Sequence, residues 1–277
     1  MKIYVLIEDS KPKGSAFIAE SGLCLYFVYQ GKRILFDTGA SDAFIYNATL
    51  LGIDLLKVDM CILSHAHEGH TGGLAYFLGI NKDAPVYMKS AARGEFYIRR
   101  LTKLEYAGMD RSLLEKYPDR FRFIDDDVEI LDGLYLSGVQ KHRKPPLFAS
   151  MMYEKRGDAL VRDDLSQELF LAMRGDEGVT VINGCSHNGL INVLMTAEEK
   201  YGPVSAVVGG FHLSSARRSG IPAFQEPAGE TAAIIRYINQ KKIKKVYTGH
   251  CTGEKSLEKL EMMARVKRIQ SGDVIQV

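Results

Sequence analysis

Six of the seven histidines in the 277-residue chain lie just after segments that we predict to be β-strands. The six are His65, His67 and His70, which fall within SHAHEGHTGG, and His187, His212 and His250, which each follow a later strand. Loops at strand ends converge on one edge of a sheet, and functional side chains gather there. Four separate loops could therefore meet at one site.

The spacing within SHAHEGHTGG suits metal coordination. His65 and His67 can point the same way from an extended segment, and His70 can return from the first turn of a following helix. Neutral imidazole binds Zn, Fe, Mn or Ni, so the cluster predicts a divalent metal, with zinc as the expected ion, in one or two copies. The alternative is that these are ordinary hydrogen-bonded polar residues, which suits a lone histidine better than a cluster.

Three protein ligands with an open fourth position are typical of catalytic zinc. His65, His67 and His187 could supply those ligands, and the pKa of the bound water would then fall to ~7, which generates hydroxide at neutral pH. His70 and His250 remain for a second metal. The histidines therefore predict a catalytic rather than a structural site.

An aspartate follows an earlier predicted strand, in the segment ILFDTG. Carboxylates beside histidine-metal sites commonly fix the imidazole tautomer through its second ring nitrogen, and we assign that role to Asp37. The alternative is an Asx turn next to Thr38-Gly39. The two roles are compatible.

The elements around these residues predict an α/β protein. Strands are predicted at 2–7, 22–29, 32–36, 58–63, 85–88, 167–173, 179–183, 204–208 and 245–248, with shorter ones within 121–137. Helices are predicted at 41–51, 111–116, 189–200, 227–240 and 254–265. The first helix has Ser41 as its predicted N-cap and Gly52 as its C-terminal end signal. We predict one domain, 1–277, with an irregular insertion or cap at about 89–166.

Composition limits the partners. Hydrophobic residues at 46% and charged residues at 25% are typical of a globular protein. The net charge of +2 gives no overall field to hold a nucleic acid backbone. No apolar stretch reaches the ~18 residues of a membrane span, and no signal-length apolar segment opens the chain. We therefore expect a cytoplasmic protein that binds neither nucleic acid nor membrane.

The four cysteines show no CxxC spacing, so reduced thiols are expected. Cys24 and Cys61 lie in apolar runs and are predicted to be buried and inert. Cys185 and His187 could form a thiol nucleophile and its base, but no activated-cysteine motif surrounds them. Cys251, beside His250, is interpreted as packing or turn chemistry.

The order LFDTG, SHAHEGH, GCSH, GGFH and TGHCTG resembles the metallo-β-lactamase superfamily. It is most similar to the subgroup named for dihydropterin-aminobenzene phosphate synthase activity, from about residue 3 to 260. The resemblance implies an αββα sandwich of mixed sheets, with helices on the outer faces and metals at one edge. It implies His65, His67 and His187 as first-metal ligands and His70 and His250 as second-metal ligands. His212 falls where many members place a bridging aspartate, so it is a candidate ligand or substrate contact.

One position departs from the family pattern His-x-His-x-Asp-His. The aspartate, which in the family binds the second metal and takes part in proton transfer, is Gly69 here, and Glu68 lies next to it. Three interpretations stay open: Glu68 swings in through the flexibility of Gly69, the site holds one metal, or ordinary hydrolytic activity has been lost.

The leading functional hypothesis is a hydrolase that uses metal-bound hydroxide on an ester, phosphoester or related bond of a small molecule. The alternatives are a pterin-related transferase and a non-catalytic metal- or ligand-binding protein, the latter because of Gly69. Arg217 and Arg218, which closely follow GGFHLSS, are candidates to bind a phosphorylated or anionic substrate. A solvated charged surface is the alternative for both arginines.

Overall fold

The structure, a computed structural model, describes residues 1–100, 103–214 and 228–277. Within these ranges the chain forms two compact units. The first unit comprises Met1–Asp125, Tyr153–Val161 and Ile269–Val277. The second comprises Asp126–Met152 and Arg162–Arg268.

The described chain combines seven α-helices with eighteen strands in mixed sheets, which confirms the predicted α/β class. The strands are β1 (Lys2–Ile7), β2 (Cys24–Tyr29), β3 (Lys32–Phe36), β4 (Met60–Ile62), β5 (Val86–Lys89), β6 (Glu95–Arg100), β7 (Lys103–Tyr106), β8 (Phe121–Ile124), β9 (Val128–Leu131), β10 (Leu134–Gly138), β11 (Met152–Arg156), β12 (Ala159–Arg162), β13 (Leu169–Gly175), β14 (Gly178–Asn183), β15 (Val204–Val208), β16 (Lys245–Thr248), β17 (Val266–Arg268) and β18 (Val274–Gln276). The α-helices are α1 (Ala43–Leu50), α2 (Glu68–Thr71), α3 (Leu74–Ile80), α4 (Ser112–Lys116), α5 (Leu190–Tyr201), α6 (Ala228–Lys241) and α7 (Glu254–Met263). No helix in the described ranges is both long and apolar enough to cross a bilayer.

The first unit contains a seven-stranded mixed sheet in the order β18-β1-β2-β3-β4-β5-β8. Its strands pair antiparallel from β18 to β3 and parallel from β3 to β8. The central parallel strand β4 is buried along its whole length, which explains its unbroken apolar sequence. The side chains of Phe44 on α1 and Phe77 on α3 are fully buried in the same apolar core.

The second unit contains another seven-stranded mixed sheet, in the order β17-β16-β15-β14-β13-β10-β9. It repeats the pairing pattern of the first sheet, with three antiparallel pairs from β9 to β14 and three parallel pairs from β14 to β17. Helices α5, α6 and α7 contribute Leu194, Ile238 and Leu260 to its core. Because β14, β15 and β16 run parallel, their carboxyl ends lie at the same edge of the sheet.

The segment 89–166 contains more strands than its sequence suggested. Strands β6, β7, β11 and β12 form a third, four-stranded sheet in the order β12-β11-β6-β7. Strand β8 joins the sheet of the first unit, and β9 and β10 join that of the second. Several of these strands are short and partly exposed, so their apolar periodicity is weak. A single domain with an insertion in this segment stays a prediction.

The N-cap of helix α1 lies one residue later than the predicted cap, Ser41. Asp42 occupies the N-cap position, and its side chain makes no capping hydrogen bond. The Ser41 hydroxyl still accepts the Ala43 N–H at 3.1 Å, and it donates to Glu20 Oε2 at 2.6 Å. The carboxylate of Glu20 therefore fixes the segment that leads from β3 into the helix.

Helices α2 and α3 pack directly on that same segment. A Cβ placed on Gly73 would lie 2.2 Å from the Thr38 carbonyl oxygen and 2.6 Å from that of Ser41. The Thr38 N–H in turn donates to the His70 carbonyl at 2.8 Å. Close backbone contact therefore holds His70 beside the end of β3, and only glycine fits at position 73.

We predict that Gly73→Ala lowers the free energy of unfolding by at least about 2 kcal/mol, because its methyl group overlaps backbone atoms that cannot move independently. Gly79→Ala is the matched control in α3. Gly79 is exposed with open space around its Cβ position, so alanine there should stabilise by about 0.5–1 kcal/mol. Urea unfolding of both variants measures the difference. Equal effects would contradict the close packing at Gly73.

Candidate metal-binding residues at the strand ends

In the first unit, the residues that follow β3 and β4 are brought together. Asp37 directly follows β3, and its N–H donates to the Ile62 carbonyl at 2.8 Å, which extends the β3–β4 pairing by one residue. Its backbone adopts a left-handed conformation with φ 58°. Such a conformation in a non-glycine residue persists only where its surroundings impose it, and it is common at functional sites.

The buried carboxylate of Asp37 collects three hydrogen bonds. Its Oδ1 accepts the Ser64 N–H at 2.7 Å. Its Oδ2 lies 2.7 Å from the Ser64 hydroxyl and 2.7 Å from His70 Nδ1. The Ser64 hydroxyl also lies 2.8 Å from His65 Nδ1. Asp37 is thus connected directly to His70, and through Ser64 to His65.

These hydrogen bonds determine the tautomers of two imidazoles. The Ser64 hydroxyl has one proton, which it donates to Asp37, so its oxygen must accept a proton from His65 Nδ1. His70 Nδ1 likewise donates to the Asp37 carboxylate. Both rings therefore carry their proton on Nδ1 in the neutral form, and Nε2 of each presents a lone pair that suits a metal.

The His65 ring contacts both of the other histidine rings of SHAHEGHTGG. The centroid of the His65 ring lies 4.7 Å from that of His67 and 4.2 Å from that of His70, and all three residues are buried. Helix α2 starts just after His67, as the turn in the sequence predicted. Glu68, its first residue, is exposed, and its N–H donates to the Ala107 carbonyl at 2.9 Å.

Gly69 packs against the segment just before β2. A Cβ at this position would lie 3.0 Å from the Ser21 carbonyl oxygen and 3.5 Å from Gly22 Cα. The Gly69 carbonyl also accepts the Leu23 N–H at 3.1 Å. An aspartate at position 69 would therefore require the backbone of residues 21–22 to shift.

In the second unit, three loops follow the parallel strands β14, β15 and β16. Each loop contains a non-glycine residue in the left-handed region: Ser186 with φ 57°, His212 with φ 48° and His250 with φ 40°. Each such conformation costs of order 1–3 kcal/mol, so the surrounding contacts must impose it. Three of the five left-handed non-glycine residues described in this unit therefore lie in its predicted functional loops; the other two are Leu165 and Lys242.

Asn183, the last residue of β14, joins two of these loops. Its side-chain amide donates to Ser186 Oγ and to the Gly210 carbonyl, both at 2.7 Å. The Gly210 N–H donates to the Gly184 carbonyl at 2.7 Å. A Cβ at Gly210 would lie 2.6 Å from Cys251 Sγ, so this close approach requires glycine.

Two thiols and an imidazole form a buried group within the second unit. The ligand atoms of Cys185, His212 and Cys251 all lie within 4.8 Å of one another. The ring centroid of His187 lies 4.2 Å from that of His212. The loop positions of His187 and His212 agree with the sequence prediction, whereas the sequence assigned Cys251 to packing or turn chemistry alone.

The sulfur of Cys251 is held by hydrogen bonds on both sides. It accepts the His212 N–H at 3.2 Å, and its S–H points to the Cys185 carbonyl at 3.7 Å. Burial alone would raise the pKa of the Cys251 thiol. Hydrogen bonding with Cys185, the charge of His250, and the hydrogen bond and charge of His212 outweigh burial and lower that pKa well below its usual value.

Glu168 positions the loop of His187, a role that the sequence analysis missed. Its Oε1 accepts the His187 N–H at 2.6 Å, and its Oε2 accepts the backbone and side-chain N–H groups of Asn188, both at 2.9 Å. Burial raises the pKa of Glu168 above its usual value, although these N–H donors act in the opposite direction. The only signal for this role in the sequence was that a charged residue directly precedes the apolar strand β13.

Two candidate residues are not covered by the structure. Arg217 and Arg218, the arginines assigned to substrate binding, lie outside the described residues. Their role stays a prediction. His142, the seventh histidine, is exposed, and its Nε2 lies 3.5 Å from Glu199 Oε2.

Comparison with known proteins gives matches along the whole chain. The family model described as the metallo-beta-lactamase superfamily matches residues 19–190. The 7,8-dihydropterin-6-methyl-4-(β-D-ribofuranosyl)-aminobenzene-5'-phosphate synthase of Methanocaldococcus jannaschii is 30% identical, over 100% of this chain and 96% of that relative.

Solved structures show the same similarity. A crystal structure described as a metal-dependent hydrolase of the beta-lactamase superfamily is 30% identical with a TM-score of 0.83, and the match covers 100% of this chain and 99% of that one. An isothiocyanate hydrolase from Delia radicum gut bacteria is 14% identical with a TM-score of 0.57, covering 100% of this chain and 99% of that one. At that identity the second match concerns the fold alone.

We predict that Glu168→Ala lowers the free energy of unfolding by about 3–5 kcal/mol, because three buried N–H donors lose their acceptor. Glu177→Ala is the matched control, because Glu177 pairs with Lys244 at a site where both side chains are more than half exposed. Its effect should stay within about 0.5 kcal/mol. Urea unfolding followed by circular dichroism measures both. A loss below about 1 kcal/mol for Glu168→Ala would contradict its positioning role.

Proposed function

Because the chain belongs to the metallo-β-lactamase superfamily, we propose that it is a metal-dependent enzyme acting on a small-molecule substrate. The family model matches more than half of the chain, and two relatives at 30% identity align along all of it. The resemblance seen in the sequence motifs is therefore confirmed. So is the fold class predicted with it, an α/β fold of mixed sheets and helices.

One observation carries the proposal: the hydrogen bonds of Asp37 and Ser64 prepare two buried imidazoles as metal ligands. His65 and His70 each engage Nδ1 in a hydrogen bond and offer the Nε2 lone pair. Metal-binding histidines are oriented in this way by a carboxylate or another polar group on the second ring nitrogen. The donor chemistry of this group therefore fits a divalent cation.

Six histidines are the proposed ligands, three in each unit: His65, His67 and His70, and His187, His212 and His250. Their nitrogen donors favour zinc, although iron, manganese and nickel bind imidazole as well. A bound divalent cation supplies Lewis-acid chemistry, which polarises a carbonyl or phosphoryl oxygen of the substrate.

The protein's own groups have distinct proposed roles. Asp37 orients His70 directly and His65 through Ser64, so it acts on the reaction through these imidazoles. Glu68 is the proposed proton-transfer carboxylate next to Gly69, and its exposed position requires it to move inward when substrate binds. Arg217 and Arg218 are proposed to bind a phosphate or other anionic group of the substrate, because guanidinium groups bind such anions with paired hydrogen bonds.

Two reactions are proposed for this site. Hydrolysis of an ester, phosphoester or related bond is the first, supported by the 30% identical structure described as a metal-dependent hydrolase. Condensation of a dihydropterin with a phosphorylated aminobenzene riboside is the second, supported by the synthase of M. jannaschii at the same identity. Both reactions would use a cation that stabilises developing negative charge.

We predict that His65→Ala reduces turnover of every substrate that the natural chain accepts by more than the ~100-fold typical of losing an outer-shell partner. The assays are hydrolysis of a panel of phosphomonoesters, phosphodiesters and carboxylic esters, and condensation of a dihydropterin donor with ribofuranosyl-aminobenzene phosphate. Product formation from two substrates without water consumption would select the transferase reaction.

His142→Ala is the matched control for this experiment. It removes an imidazole that is not among the proposed ligands, so activity and metal content should stay unchanged. If His65→Ala kept full turnover and its complete metal content, the proposed metal-dependent mechanism would be wrong.

A further inference from the structure

Cys185 lies among more potential metal donors than the sequence suggested. Its sulfur is within 4.8 Å of a ring nitrogen of His187, of His212 and of His250, and of the sulfur of Cys251. All of these residues belong to the second unit. Apart from the partly exposed His250, they are buried. Cys185 therefore lies next to each of the three histidines that this unit contributes as proposed ligands.

We propose that Cys185 is a thiolate ligand of the bound metal, an inference that rests on the proposed metal-dependent function. Thiolate and imidazole together form a donor set that favours zinc and other borderline-soft cations. Coordination breaks the S–H bond, forms a sulfur–metal bond and releases the proton to solvent, with no change of oxidation state.

The distances suit coordination by a single cation. In tetrahedral zinc sites with bonds of about 2.0–2.3 Å, neighbouring ligand atoms lie about 3.3–3.8 Å apart. Donor atoms that already lie within 4.8 Å of the Cys185 sulfur need to approach it by at most about 1.5 Å to reach that separation.

The loop that carries Cys185 is rigidly supported. The Gly184 carbonyl accepts the Gly210 N–H, and Ser186 accepts a hydrogen bond from the Asn183 amide. Glu168 accepts the His187 N–H on the far side of the loop. The backbone at Cys185 is therefore held in place before any metal binds, as expected of a ligand on a pre-organised scaffold.

Cys251 has a different role from Cys185. Its sulfur accepts the His212 N–H and directs its S–H to the Cys185 carbonyl, so it links the loops that follow β14, β15 and β16. Both hydrogen bonds involve backbone groups, and a serine hydroxyl offers the same kinds of donor and acceptor as the thiol. Cys251→Ser is therefore a suitable control for Cys185→Ser, because both variants remove one buried thiol from the same group.

The test is the absorption spectrum of the full chain after its metal has been removed with a chelator and replaced by Co²⁺. The natural chain should show a sulfur-to-cobalt charge-transfer band in the near ultraviolet. Cys185→Ser should lose that band and bind Co²⁺ at least about tenfold more weakly. Cys251→Ser should keep the band. Cys185→Asp, which retains a donor group, should bind Co²⁺ without the band.

Three results would overturn the proposal. The first is a natural chain that binds Co²⁺ without a charge-transfer band, which leaves the metal-dependent function intact and rejects only the thiolate ligand. The second is a band that survives in Cys185→Ser and disappears in Cys251→Ser. The third is a chain that takes up no Co²⁺ at all, which rejects the metal-dependent function together with this ligand. The first and third are read from the natural chain and do not depend on the folding of any variant.

Discussion

A buried carboxylate is strongly destabilising unless hydrogen-bond donors surround it. Asp37 is such a carboxylate, and its donors come from residues of the candidate metal site. Its partners are the N–H and hydroxyl groups of Ser64 and the Nδ1 of His70. The parallel pairing of β3 and β4 aligns Phe36 with Ile62, which brings Asp37 close to Ser64. The pairing of the strands therefore places one buried charge, and that charge sets the tautomers of two histidines.

The second unit also contains a buried carboxylate that requires hydrogen-bond donors. Its sheet has the same order of antiparallel and parallel pairs, and its candidate metal ligands again follow the parallel strands. Glu168 provides the buried carboxylate here, and its oxygens accept the backbone N–H groups of His187 and Asn188 and the Asn188 side-chain amide rather than an imidazole. Left-handed residues in three loops add strain that these hydrogen bonds must offset. In both units a buried carboxylate thus holds a histidine-bearing loop in place.

The sequence predicted those parts of the molecule that are determined by residues close together in the chain. Long apolar runs such as β1 and β4 have clear strand patterns, and the spacing of His65, His67 and His70 predicts their clustering. Glu168 was missed because its partners at 187 and 188 are distant in sequence and form no motif. The donor neighbours of Cys185 were missed for the same reason. The four-stranded sheet was missed because its strands are short and partly exposed.

If the buried imidazoles are held ready to bind a divalent cation, the metal content of the natural chain should show it most directly. The protein is purified from metal-replete cells without added metal or chelator and analysed by elemental mass spectrometry. We expect at least about one divalent ion per folded chain, with zinc favoured by the donor set. A folded chain that carries no divalent metal, and takes up none when zinc, iron, manganese or nickel is supplied, would contradict this account.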